Sequence, residues 1–312
     1  MIRPLHPTDM PSYLAFARGA CYGEDLELCE PGPTPRSLWS FLWRSLAIDV
    51  PNHTWIYTQN RSIRGLVEIR NRRGAAVWEV ERLLGLQSAD TECILGNLLE
   101  HLAAVGGEEG VQKIFLRLPS ASPLLPVARR AGFFAYTVER LYRGIGARPE
   151  PTDSAPRPRR GFDHLALFEH YSRTVPLRVR QAEAVTLQEW RWLDGWQPRR
   201  QFRLNLPRAR RDYVVECDGQ VRAWLNVDPA RRIARLSLEK PVVGPQQADA
   251  LLSYALAQLP ADGAVYIPVR EYQSGLEASV QRLGLPLVGE NTLLVKVLTV
   301  RVPERRLVPV GA

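Results

Sequence analysis

Two glutamates one residue apart, Glu79 and Glu81 in the run Val77-Trp78-Glu79-Val80-Glu81-Arg82, are the side chains of this sequence placed to move protons. In an extended strand successive side chains alternate between faces, so both carboxylates share the face opposite Trp78 and Val80. Two carboxylates facing a cleft would hold at least one proton more tightly, which suits a general base for an ammonium substrate. A solvent-facing pair on a half-exposed sheet fits the same spacing.

A second candidate is electrostatic. From Glu189 to Arg211 the chain interleaves Trp190, Trp192, Trp196 and Phe202 with seven arginines, among them Arg199, Arg200, Arg208 and Arg211. Guanidinium forks grip phosphate and aromatic rings stack on bases. The stretch Arg199–Arg211 suits a phosphorylated ligand, an acidic partner or a nucleic-acid strand, and equally a packed core with arginine heads in water. The net charge of +8 rests almost wholly on arginine, since lysine occurs only at Lys113, Lys240 and Lys296.

Other chemistries find no support. The histidines His6, His53, His101, His164 and His170 show no metal spacing, and Cys21, Cys29, Cys93 and Cys217 form no close pairs. No Ser–His–Asp or Cys–His arrangement is legible, nor any phosphate-loop or dinucleotide fingerprint. No apolar run approaches the roughly 20 residues of a membrane span, and Met1–Met10 lacks the apolar core of a secretory signal. A cytoplasmic location is expected.

The elements that must position these residues read as one pattern written twice. From Trp55 to Gly85, turn clusters at Gln59-Asn60-Arg61 and Asn71-Arg72-Arg73-Gly74 separate three strand-like runs. From Tyr213 to Gly244, Asp218-Gly219 and Asp228-Pro229-Ala230 do the same. Each meander is followed by a helical run, a strand, a helix and paired strands. The first of these helices, Thr91 to Val105, carries Leu95, Leu98, Leu99 and Leu102 on one stripe and is expected to end at Gly106-Gly107. Leu98-Leu99 corresponds to Leu251-Leu252, and Ala131-Gly132-Phe133 to Leu283-Gly284-Leu285. Upstream, Trp39, Leu42, Trp43 and Leu46 form a further helical stripe. A chain of 312 residues, 45% hydrophobic, is long enough for two cores. The expected domains are residues 1–145 and 162–312, joined by a Pro- and Arg-rich linker over 146–161.

This element order, with Leu98-Leu99 and the Ala131-Gly132-Phe133 turn, resembles the GCN5-related N-acetyltransferase (GNAT) superfamily in tandem. The resemblance implies a mixed α/β fold: two GNAT-like domains, each a mostly antiparallel mixed sheet flanked by helices. It implies an acyl group moving from acetyl-CoA or another acyl-CoA, bound between the fourth and fifth strands, to an amine. It places cofactor contacts at Leu83, Leu84 and Gly96 in the first half and at Gly244, Gln246 and Gln247 in the second. The family's glycine-rich pyrophosphate loop falls on Gln87 to Gly96, where only Gly96 survives and Asp90 and Glu92 add negative charge. Its tyrosine proton donor falls on Ala128 and Val280, and its asparagine near Ala121 and Ser274. A non-catalytic descendant of the fold, acting as a binding module, is the alternative.

Overall fold

The computed structural model describes residues 1–25, 54–71, 76–145, 156–187, 211–240 and 242–299. The Trp39–Leu46 stripe and most of Glu189–Arg211 lie outside them.

The chain packs into two compact units. Unit 1 comprises Met1–Leu118, Ser122–Phe134 and Leu294–Ala312; unit 2 comprises Pro119–Ala121 and Ala135–Leu293. The strand Phe134–Ile145, expected in the N-terminal domain, therefore serves unit 2 from Ala135 onward. The last strand gives its final residues to unit 1.

Unit 1 opens with β1 (Ile2–Pro4), a short 3-10 turn, α1 (Met10–Gly19) and β2 (Ala20–Asp25). The meander follows as β3 (Thr54–Gln59), β4 (Ser62–Asn71) and β5 (Val77–Leu86), then α2 (Thr91–Glu108), β6 (Lys113–Pro119) and α3 (Leu124–Arg130). The strands run in the order β1-β3-β4-β5-β6, with the end of the last strand beside β6. The hairpin at Asn60-Arg61 turns on two residues with positive φ, 52° and 62°, the primed geometry whose twist matches the flanking strands. The Asp218-Gly219 hairpin repeats it, with φ of 53° and 70°.

Burial decides which face each strand shows. Trp55, Val67, Trp78, Val80 and Leu83 meet the α2 stripe of Leu95, Leu98, Leu99 and Leu102 on one side of the sheet. Ile56, Leu66 and Leu84 meet Tyr13 and Phe16 of α1 on the other. Each α2 leucine is fully buried, worth roughly 1.5–3 kcal/mol apiece. The helix closes on the sheet over a cross-strand glycine pair, Gly65 opposite Gly85. A Cβ on Gly65 would lie 2.7 Å from the Ile94 side chain. Gly106 does not end α2 as its sequence suggests; it lies inside the helix, where a Cβ would meet the Trp78 ring at 3.2 Å. Close approach, not capping, requires it.

In unit 2, β7 (Phe134–Ile145) contributes from Ala135. It is followed by β8 (Arg157–Pro158), α4 (His164–Thr174), α5 (Leu177–Glu183), β9 (Arg211–Cys217), β10 (Gln220–Asp228), β11 (Ile233–Leu238), α6 (Pro245–Ala257), β12 (Ala264–Arg270), α7 (Ser274–Arg282) and β13 (Leu287–Val297). The order is β13-β7-β12-β11-β10-β9-β8. Leu225, Ala234, Leu236, Leu251, Leu252 and Val265 lie in its core. The opening strand of this half, illegible in the sequence, is β8, which pairs with β9 from within the expected linker.

Both units begin alike. Arg3 grips Asp9 at 2.6 Å, and Asp9 accepts the His6 backbone N–H. Arg157 grips Asp163 at 2.8 Å, and Asp163 accepts the N–H of Arg160. Asp9 is held below its usual range by Arg3; burial pushes Asp163 up, but Arg157 and the Arg160 N–H hold it below that range too, and each carboxylate pins a strand to the following 3-10 turn. The turns after α3 and α7 also match: Gly132 and Gly284 take φ of 84° and 69°, the left-handed helix ending that glycine favours. Among the described residues no helix is long and apolar enough to cross a membrane.

Candidate functional site

In each unit two neighbouring parallel strands part company, and the openings differ. In unit 1, β5 and β6 pair only over Val77–Glu79 with Lys113–Phe115. Past that point β5 takes β2 instead: Leu84 faces Gly23 and Leu83 faces Glu24 in antiparallel register. The side chains of Leu83 and Leu84 are both buried, one toward α2 and the other toward α1. A ligand running along this edge would have to displace β2.

Glu79 and Glu81 do share a face, and a cation sits against both. Arg70 on β4 reaches Glu79 at 2.8 Å and Glu81 at 3.2 Å. A register shift of β4 against β5 falls at this point, between Glu68 and Ile69. Glu81 is only 3% exposed. The carboxylates are thus part of an ion-paired network, not a mutually repelling pair facing open space. Nearby, Arg82 is fully buried, 3.7 Å from Glu68 and 3.2 Å from the Tyr13 hydroxyl.

Before α2 the loop is tied down by Thr91, while the N-cap Asp90 makes no side-chain cap hydrogen bond. Thr91 Oγ1 accepts the Ser88 N–H at 2.9 Å and donates to the Leu86 carbonyl at 2.5 Å, which consumes the Ser88 donor of the loop. A groove of about 780 Å³ opens here, lined by Glu92, Cys93, Glu100 and Arg130 among others. Two of those groups are anionic, and the one cation lies 3.9 Å from Glu92. Gly96 lines the groove, but a Cβ on it would meet Val127 of α3 at 3.3 Å, so it also serves helix packing.

Unit 2 is built more openly. β11 and β12 share a single register pair, Ile233 with Tyr266. Beyond it, among the described residues, no strand pairs with that edge of β11. The Gln273 side-chain amide bridges the gap, donating to the Leu236 carbonyl at 2.7 Å. At the start of α6, Gly244 is the N-cap with φ −71° and no side-chain cap, and Pro245 follows at the first position. Gln246 and Gln247 therefore begin the helix with N–H groups that have no intrahelical acceptor. A Cβ on Gly244 would meet nothing within 4 Å. Lys240 points to the start of α7, its Nζ donating to Ser274 at 2.9 Å.

The walls of this opening carry polar groups that sequence reasoning missed. His170 of α4, 1% exposed, holds Ser237 of β11 at 3.0 Å through Nε2, and its Nδ1 lies 3.8 Å from Glu239. Glu239 is bound by Arg173 and Arg222 rather than paired with Lys240. Arg270 at the end of β12 reaches Glu139 at 2.9 Å and Glu183 at 3.4 Å, and Tyr171 donates to Glu183 at 3.0 Å. Burial pushes the hydroxyls of Tyr171 and Tyr272 well above the usual tyrosine range. Of the Arg199–Arg211 stretch only the exposed Arg211, the first residue of β9, is described.

No protein-family model and no curated protein matches this sequence. Solved structures do. A GCN5-related N-acetyltransferase from Sphaerobacter thermophilus is 17% identical, with 95% of each chain covered and a TM-score of 0.58. A tandem GNAT protein from the clavulanic acid biosynthesis pathway is 14% identical, covering 95% of this chain and 98% of its own, with a TM-score of 0.50. A conserved protein of unknown function from Staphylococcus epidermidis is 11% identical, covering 82% and 98%, with a TM-score of 0.51. At such identities the likeness is one of fold. The parting parallel strands, the meanders before them and these likenesses agree: the chain has the fold of the GCN5-related N-acetyltransferases.

Proposed function

We propose that this protein moves an acyl group from an acyl-CoA, acetyl-CoA in the simplest case, to an amine, and that unit 2 does so. One observation carries the reading: past Ile233, among the described residues, no strand pairs with the edge of β11, and the Gln273 side chain bonds the Leu236 carbonyl there, which suits an extended ligand. A pantetheine arm carries amide groups and can add to such an edge as a strand would. At the mouth, the unoccupied N–H groups of Gln246 and Gln247 suit a pyrophosphate at a helix start, with Lys240 close by in sequence. The amine would enter by the acidic and tyrosine-rich wall of Glu139, Glu183 and Tyr272.

Unit 1 takes the non-catalytic role in this reading. Its edge is filled by β2, the Ser88 N–H of the loop before its helix is taken by Thr91, and its groove is lined by Glu92 and Glu100. Like charges near a phosphate at 4–6 Å oppose binding by about 1 kcal/mol even at high effective dielectric. Glu79 and Glu81 then serve the Arg70 ion pair rather than proton transfer.

Thermal unfolding with acetyl-CoA tests the reading. Ligand at 100 times its dissociation constant stabilises the folded state by about 2.7 kcal/mol. An unchanged transition at millimolar acetyl-CoA would remove it.

A further inference from the structure

Ser237 and Glu239, two residues apart at the end of β11, meet the distant His170 of α4 at the opening of unit 2, in the order Ser237, His170, Glu239. Ser237 Oγ lies 3.0 Å from His170 Nε2, and His170 Nδ1 lies 3.8 Å from Glu239 Oε2. The imidazole is buried, and its Nδ1 has no hydrogen-bond partner. Ser237 is only half-buried and belongs to the strand whose edge stands open.

The tautomer follows from the surroundings. Glu239 opposite Nδ1 favours a proton on that nitrogen, since a bare lone pair would face the carboxylate. Nε2 is then an acceptor, and the Ser237 hydroxyl donates to it. Thr174 competes less well for that hydroxyl, its Oγ1 being farther from Ser237 at 3.3 Å and already donating to the His170 carbonyl, and the backbones of Ser237 and Val221 also lie against the ring. Glu239 is fixed by Arg173 and Arg222, so the acid end of the row is anchored. Burial depresses His170 to about 4, against the raising effect of Glu239 and with the lowering effect of Arg173, so the ring is neutral at ordinary pH, as a base must be.

Backbone geometry supplies a further element. The Glu239 N–H donates to Arg222 on β10 at 2.9 Å, so the alternation of an antiparallel pair turns the Leu238 N–H the other way. It points toward the same opening as the Leu236 carbonyl held by Gln273. An amide donor beside the serine is what a developing oxyanion needs.

We propose that Ser237 is a nucleophile activated by His170 and oriented by Glu239, and that it accepts an acyl group from a thioester or activated ester. Only the identity of the donor as acyl-CoA rests on the functional reading above. In the step, Oγ forms a bond to the acyl carbon and its proton passes to His170 Nε2. The carbon–sulfur bond breaks, and the leaving thiolate takes that proton. An amine then attacks the acyl carbon and gives a proton to His170; the acyl carbon–Oγ bond breaks, and the leaving Ser237 Oγ takes that proton. The cycle is redox-neutral and regenerates the free hydroxyl.

The test uses a biotinylated fluorophosphonate on the intact protein, read by peptide mass spectrometry. Labelling is expected on Ser237, absent in Ser237→Ala, and slower on the order of 100-fold in His170→Gln. Circular dichroism and the thermal transition of each variant establish folding. Should His170→Gln misfold, Glu239→Gln, which removes the acid, is expected to slow labelling likewise. No label on Ser237, or labelling unaffected by both neighbours, overturns the proposal. Acetyl-CoA without an amine is expected to leave one acetyl group on Ser237. Fluorophosphonate labelling without acetylation upholds the nucleophile and counts against acyl-CoA as donor.

Discussion

The side-chain amide of Gln273 donates to the carbonyl of Leu236 at 2.7 Å, spanning the gap where β11 and β12 part. Its oxygen accepts the Arg270 N–H at 2.9 Å, so one residue both caps the end of β12 and occupies the open edge of β11. A strand-like ligand must displace this amide. Gln273→Ala is expected to lower unit 2 stability by about 1 kcal/mol, one net hydrogen bond, without weakening acetyl-CoA binding. Urea unfolding and calorimetry read the two effects. Tenfold weaker binding would show that Gln273 holds the ligand instead of standing in for it.

His170 makes the stability of unit 2 depend on pH. Its folded pKa of about 4 lies below the ordinary 6.5, so between those values the unfolded chain binds more protons. The stabilising effect is present above about pH 6.5 and is lost as pH falls toward 4, by up to about 3 kcal/mol. His170→Gln is expected to flatten this dependence in urea unfolding between pH 7 and 4. A slope equal to that of the unaltered protein would place the titration elsewhere.

Arg82 and Glu68 form a buried pair in unit 1, with Arg82 2% exposed. Removing one member leaves the other charged and desolvated, so Arg82→Ala is expected to cost about 3–5 kcal/mol. Arg82→Met combined with Glu68→Leu should cost much less. Equal losses in single and double variants, measured by urea unfolding, would contradict the pairing.

Two glycines of unit 1 should respond with opposite signs. Gly65→Ala forces a methyl against Ile94 and Leu98 and is expected to destabilise by about 1–3 kcal/mol. Gly107 lies inside α2 with open space around it, so Gly107→Ala is expected to stabilise by about 0.5–1 kcal/mol. Thermal unfolding of both variants checks the pair, and the same sign for both would refute the packing argument.

Local pattern made much of the fold legible in sequence. The leucine stripe of α2, the Asn60-Arg61 and Asp218-Gly219 hairpins and the Gly132 and Gly284 turns follow from short-range periodicity and backbone preference. β2 was hidden because Ala20–Asp25 has no alternation and gains its partner only from β5. Gly106 misled because a glycine that admits Trp78 looks, in sequence, like one that ends a helix. The Arg3–Asp9 and Arg157–Asp163 clasps share a six-residue spacing, a sign of likeness between the halves that hydrophobic patterning alone does not reveal. The site was least legible. Glu79 and Glu81 share a face as their spacing requires, but nothing in their run announces Arg70. Ser237 and His170 are 67 residues apart and meet only through packing of α4 on β11.

The most direct measurement is titration calorimetry of acetyl-CoA against the unaltered protein, Gly244→Asp and Ala89→Asp. Gly244 has ordinary φ and open space, and aspartate is a favoured N-cap, so that variant should fold while setting a carboxylate against the phosphates. Ala89, exposed one residue before the Asp90 N-cap of α2, is the control position in unit 1. The account predicts binding by the unaltered protein, undiminished binding by Ala89→Asp, and at least tenfold weaker binding by Gly244→Asp. Binding lost in Ala89→Asp and kept in Gly244→Asp would contradict it.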